Sequence, residues 1–238
     1  MPTLQSVLDS LKAKGSEKTR ATYIRHGMAG DRILGVSVAD MKIIEKTIRG
    51  QQALACDLYA TGLMEAMYLA GMVADGAQMT PQQLQKWAEG AAGMPMIAEY
   101  TVPWVAVENS AARTLAHRWI ASKQEQMACA GWCTWSGLVA TQADAALDLA
   151  EIEELMASIP GNLASAKNRV RYTMNGFVIS VGGHVRPLLP KAKKIAKQLG
   201  AVSVDVGDTA CKIPLATEYI AKMEDAGRVG KKKKTIRC

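Results

Sequence analysis

The sequence predicts an all-α chain of stacked helix pairs, closed by a small C-terminal β-hairpin-like appendix. Three observations carry that expectation. First, 49% of the 238 residues are hydrophobic, yet only one is Phe, so Ala, Met and Leu, all strong helix formers, supply the apolar pattern. Second, helical periodicity recurs along the chain in segments of roughly 10–15 residues with short links. Third, the last forty or so residues change character, with an alternating segment at Ala201-Val-Ser-Val-Asp-Val206. Helix pairs with brief connections suit an α-helical solenoid, whose repeats need share little sequence. A compact helical bundle is the competing architecture, because no clean repeat signature is present.

Thr3 caps a first helix to Lys14, with Leu4, Val7, Leu8 and Leu11 on one face. Ser16 caps a second to about Met28. After the Gly27–Gly35 loop, Ser37 caps a third, with Asp40 at the third helical position, and Gly50 ends it. Further helices are expected near 51–60, 62–75, 80–92, 95–106, 108–122 and 124–140. Thr80-Pro81 is a start signal, with proline at the first helical position. The series continues near 151–159, 165–181, 184–199 and 216–226. Alternation over 201–206, the turn at Gly207-Asp208, and Thr235-Ile236-Arg237-Cys238 as a partner strand give the appendix. The expected organisation is one helical domain over 1–200, with a basic extension over 201–238 packed on it.

No apolar run approaches the ~20 residues that span a bilayer, and the N-terminus lacks a signal-peptide apolar core. The sequence therefore reads as that of a soluble, cytoplasmic protein with no membrane partner, and a monomer is expected. Five dispersed cysteines, with Cys129 and Cys133 lacking a completing Cys or His cluster, argue against a zinc site. Cys56, Cys129 and Cys133 read as small buried hydrophobes. No metal, cofactor, phosphate loop or nucleophile elbow is expected. The three histidines, His26, His117 and His184, are far apart and have no partner at catalytic spacing.

The net charge of +7 is unevenly placed. Residues 1–49 hold nine Lys/Arg against five Asp/Glu, 50–164 four against twelve, 165–185 three against none, and 186–238 thirteen against five. Segregated positive charge points to a polyanionic partner, most often nucleic acid. Trp104 and Glu108, four residues apart, would share a helical face and suit a cation or a transition state with carbocation character. The bland alternatives are that Trp104 packs in the core and that Glu108 starts the following helix. Glu99 is a rival carboxylate, off the face of Trp104. Asn175-Gly176 in mid-helix suggests close helix approach.

Several of these segments together resemble the AlkD-like DNA alkylation-repair proteins, which are HEAT-like solenoids holding duplex DNA against a concave basic surface. The resemblance rests on Tyr23 in Ala21-Thr-Tyr-Ile, Leu34-Gly35-Val36, Trp104-x-x-Val107-Glu108 and Met174-Asn175-Gly176-Phe177, and covers most of residues 15–200. The segment from Gly207 to Cys238 looks like a subfamily extension. In the family's glycosylases, an Asp and flanking aromatics sit beside cationic N3- or N7-alkylated purines in double-stranded DNA. The resemblance puts that Asp at Glu108, the preceding Trp at Trp104, a backbone-contacting Tyr at Tyr23 and a second Trp at Phe177.

A fixed carboxylate near the sugar could stabilise the charge that builds as the base leaves. Glu108 has one more methylene than Asp, and Phe177 is a weaker cation–π partner than Trp. Ala128-Cys129-Ala130 stands where the family offers a cation, so Lys167, Arg169 and Arg171 become the expected backbone contacts. Lys231, Lys232, Lys233, Lys234 and Arg237 are expected to add a phosphate clamp, and Lys212 is a further expected nucleic-acid-binding residue. The resemblance thus implies a DNA N-glycosylase. The departures leave open a non-catalytic binder of duplex or branched DNA and, more remotely, a protein-interaction scaffold.

Overall fold

In the computed structural model, which describes residues 2–237, the capping residues start helices as the sequence requires. The hydroxyls of Thr3, Ser16, Ser37 and Thr80 each accept a backbone N–H three residues on, and Thr3 and Thr80 complete reciprocal capping boxes with Ser6 and Gln83. Thirteen α-helices and no strand occur among the described residues. No helix among them is long and apolar enough to cross a membrane.

The chain divides into two compact units. The first runs to Ala111 and takes in Val206–Ala210 and the terminal Arg237. It holds α1 (Leu4–Lys14), α2 (Glu17–Arg25), α3 (Val38–Glu45), α4 (Gln52–Ala60), α5 (Met64–Val73), α6 (Pro81–Gly90) and α7 (Val102–Ala106). Its core is α5, where Met64, Ala66, Met67, Leu69 and Ala70 are essentially inaccessible and α4 is the main partner. A π-helical turn, Ile97–Thr101, leads into α7. Proline at 103 explains that turn, since Pro103 has no N–H to donate to the carbonyl of Glu99 and its ring crowds that oxygen.

The second unit comprises Ala112–Asp205 and Cys211–Ile236. It holds α8 (Ala112–Ile120), α9 (Glu125–Thr141), α10 (Leu149–Asn162), α11 (Asn168–His184), α12 (Leu189–Leu199) and α13 (Ala216–Asp225). Helices α9 and α11 form its centre, with α8 on α9 and both α12 and α13 on α11. Glycine sets two of these approaches. A Cβ on Gly131 would lie 2.6 Å from the Ile120 nitrogen, and one on Gly183 would lie 2.3 Å from the Met223 sulfur. Gly176 has open space where its Cβ would be, so the expected close approach falls one to two turns later in α11 than Asn175-Gly176.

The hairpin appendix does not form. Residues 201–206 form no strand, and at Asp205 a side chain supplies the hydrogen-bond partner. The Asn168 amide accepts from the Asp205 N–H and donates to its carbonyl, each at 2.7 Å, as a neighbouring strand would. Thr235-Ile236-Arg237 is likewise not a strand, and Cys238 of that expected pairing lies outside the described residues. The expected helix at 108–122 starts at Ala112, leaving Glu108 in the turn before it.

Candidate nucleic-acid interface

Trp104 belongs to the interior of the first unit. It is 2% exposed and meets Tyr68 edge-on, with ring centroids 4.9 Å apart. The aromatic of this cluster that reaches solvent is Tyr100, one turn earlier, 45% exposed and 6.2 Å from Trp104. Its four-residue spacing from Trp104 is the signal in the sequence that marks it.

Glu108 lies two residues beyond the last residue of α7 and does not share the buried face of Trp104. One oxygen accepts the Gly76 N–H at 2.9 Å. Arg237 binds both oxygens: Nε donates to Oε1 at 3.0 Å and Nη2 donates to Oε2. The same guanidinium donates to the carbonyls of Gly71 and Ala74 at 2.8 and 2.6 Å, where α5 leaves its last acceptors unpaired. A bidentate guanidinium–carboxylate pair is a strong, geometrically specific contact. The carboxylate expected to face a cationic lesion therefore faces the chain's own arginine, and Arg237, expected on phosphate, is engaged inside the first unit.

Tyr23 donates its hydroxyl to the Val36 carbonyl at 2.9 Å. Burial, with the charge of Glu65 adding, pushes its pKa up to about 12. Glu65 is fully buried and accepts the N–H groups of Leu34, Gly35 and Val36 at 3.0, 2.6 and 3.1 Å. Gly35 has φ of 83°, and a Cβ there would lie 2.3 Å from the Ser16 carbonyl oxygen. Leu34-Gly35-Val36 is thus a loop folded around a carboxylate. The sequence reading missed Glu65, because nothing around it in the chain marks it as an acceptor for residues thirty positions away.

In the second unit, Phe177 is fully buried with its ring 5.3 Å from that of Trp132. Asn175 donates to the Pro214 carbonyl at 2.8 Å, tying the extension to α11. The basic candidates differ among themselves. Lys167 is exposed and donates to the Lys123 carbonyl, while Arg169 lies over Tyr172, 4.4 Å from its ring centre. Arg171 is half-buried and donates to Asn168. Lys212 is exposed.

The lysine run follows the end of α9. Lys232 donates to the Val139 carbonyl and pairs with Asp144, both at 2.8 Å, and the Lys233 N–H donates to Ala140. Side chains of Lys231, Lys233 and Lys234 remain exposed.

His184, buried on α11, hydrogen-bonds through Nδ1 to the Lys231 carbonyl at 2.8 Å, so that nitrogen carries the proton. Burial lowers its pKa from the usual 6.5, and the charges of Lys233 and Lys232 act the same way against the opposing hydrogen bond. A depressed folded-state value means the unfolded chain takes up the proton first. The contribution of His184 is therefore complete above about pH 6.5 and is lost as pH falls through the lower folded value. Protection of the Gly230 and Lys231 amides, taken relative to their intrinsic exchange rates, is expected to fall as pH drops below about 6.5, and His184→Gln to remove that pH dependence. An equal loss of protection in the variant would assign it elsewhere.

Residues 7–199 match the family of DNA alkylation repair enzymes. Two uncharacterized proteins, from Listeria innocua serovar 6a and Listeria monocytogenes serovar 1/2a, are each 28% identical over 226 residues, covering 93% of this chain and 97% of theirs. A solved structure, described as a new family of proteins related to the HEAT-like repeat DNA glycosylases with affinity for branched DNA structures, matches over the full length of both chains. Its identity is 34% and its TM-score 0.89. The fold is accordingly the all-α, HEAT-like one, which decides between solenoid and bundle.

Proposed function

We propose, from the premise that this chain belongs to the DNA alkylation repair enzyme family, that it binds duplex or branched DNA through its second unit and leaves the glycosidic bond intact. The observation that carries this reading is the engagement of Glu108. A carboxylate that accepts from Gly76 and from the Nε and Nη2 of Arg237 is already charge-paired and oriented, and has little left to offer a developing sugar cation. Charge supports the partner. The second unit holds eighteen Lys/Arg against ten Asp/Glu, the first eleven against twelve, so the chain's positive excess belongs to the second unit. The described relative with affinity for branched DNA points the same way.

The test is binding of duplex and branched DNA across a salt series. Each phosphate neutralised contributes roughly −0.9 to the slope of log affinity against log salt. Replacing Lys231, Lys233 and Lys234 together by Gln is expected to weaken binding to all DNAs similarly and flatten the slope by up to about 3. An unchanged slope removes these lysines from the interface, and no salt dependence in the wild type would favour a protein-interaction scaffold.

A further inference from the structure

The second unit also has a cleft of about 510 Å³ where α8, α9 and α10 meet the start of α11. Its size falls within the range of small-ligand sites, about 300–1,000 Å³. Ile120, Trp132, Val170 and Met174 supply apolar lining, and Asn162, Lys123 and Lys167 supply polar lining. Trp132 is 3% exposed, and its indole N–H is buried without a protein acceptor.

The cleft's electrostatics favour an anion beside an apolar body. Neither Lys123 nor Lys167 is paired with a carboxylate among the described residues. The one carboxylate in the lining, Glu125, accepts the Arg169 N–H at 2.8 Å. It thereby caps a helix whose N-cap, Lys167, has no side-chain acceptor. A flat apolar ring carrying polar edges and a phosphate, which is a nucleotide, matches this combination. Bases inside a duplex are stacked and paired and cannot enter a cleft, but those left unpaired at a branch can.

We infer that this cleft takes one unpaired nucleotide at a DNA branch point, its base against the apolar lining and its phosphate at Lys123 and Lys167. The inference rests on the DNA-binding reading above. It would make branch preference a property of a pocket, where surface charge alone would serve any duplex. Ser158, exposed and part of the lining, offers a position from which a large side chain would fill the space.

The experiment compares three DNAs by fluorescence anisotropy: a plain duplex, a three-way junction with two unpaired purines at the branch, and the same junction with abasic tetrahydrofuran residues in their place. Loss of the bases is expected to weaken wild-type binding about tenfold, a typical magnitude for losing a stacked base. Ser158→Trp is expected to bind both junctions at the weaker level while retaining wild-type affinity for duplex and the wild-type melting temperature. Equal wild-type affinity for the two junctions overturns the inference and leaves the DNA-binding reading standing. Failure to bind any of the three overturns both. The wild-type comparison decides the matter even if the tryptophan variant does not fold.

Discussion

Glu65→Ala is expected to lower stability by roughly 3–5 kcal/mol, since it strands the buried N–H groups of Gly35 and Val36 and the part-buried one of Leu34. Each N–H of Leu34-Gly35-Val36 bonds Glu65 at 2.6–3.1 Å. Gln is expected to rescue only in part, because its amide oxygen can accept from Gly35 and Val36 while its NH2 group would face the Leu34 N–H, donor against donor. Denaturant unfolding checks this, and a loss below about 1 kcal/mol would show that water or neighbouring carbonyls serve the loop equally well. The reading also predicts where the damage appears: the N-terminal helices around Ser16 and Gly35, which share the 2.9 Å bond between the Ser16 N–H and the Gly35 carbonyl.

Phe177→Ala is the second large effect, at about 3–5 kcal/mol for emptying a fully buried aromatic site. The position is informative because resemblance alone assigns it to the lesion. A lesion-contacting ring needs solvent access, and truncating it would change DNA selectivity with little change in melting temperature. A ring packed on Trp132 gives the reverse: a large drop in stability, with Phe177→Leu recovering most of it. Thermal unfolding of both variants, beside their affinity for duplex DNA, separates these outcomes. Unchanged stability in the alanine variant would return Phe177 to the surface role.

These contrasts show which parts of the molecule the sequence made legible. Helix starts were readable because capping is local: Thr3, Ser16, Ser37 and Thr80 each act on a residue three positions away. Family position was readable from Tyr23, Leu34-Gly35-Val36 and Trp104-x-x-Val107-Glu108 taken in order. Illegible were the pairings between distant segments. Arg237 reaches back 129 positions to Glu108, and Lys232 reaches 93 to Val139. Nothing local distinguishes a lysine that caps a helix from one that awaits a phosphate.

The missing hairpin has the same origin. Alternation at 201–206 suggests a strand whose backbone needs partners, but the pattern does not say whether another strand or a side chain such as the Asn168 amide at Asp205 supplies them. The Trp104–Glu108 face failed for a local reason. Helix α7 ends at Ala106, so the spacing rule for helical neighbours no longer governs residue 108.

Glu108 as an anchor for Arg237 is the claim on which the functional account turns, and base release from N-methylated duplex DNA tests it most directly. Wild type, Glu108→Gln and Arg237→Ala are incubated with the DNA, and free methylpurines are counted. The account expects no release above the protein-free control from any of the three, with the DNA bound throughout. Release by wild type that Glu108→Gln abolishes would contradict it and make Glu108 the charge-stabilising carboxylate of a working glycosylase.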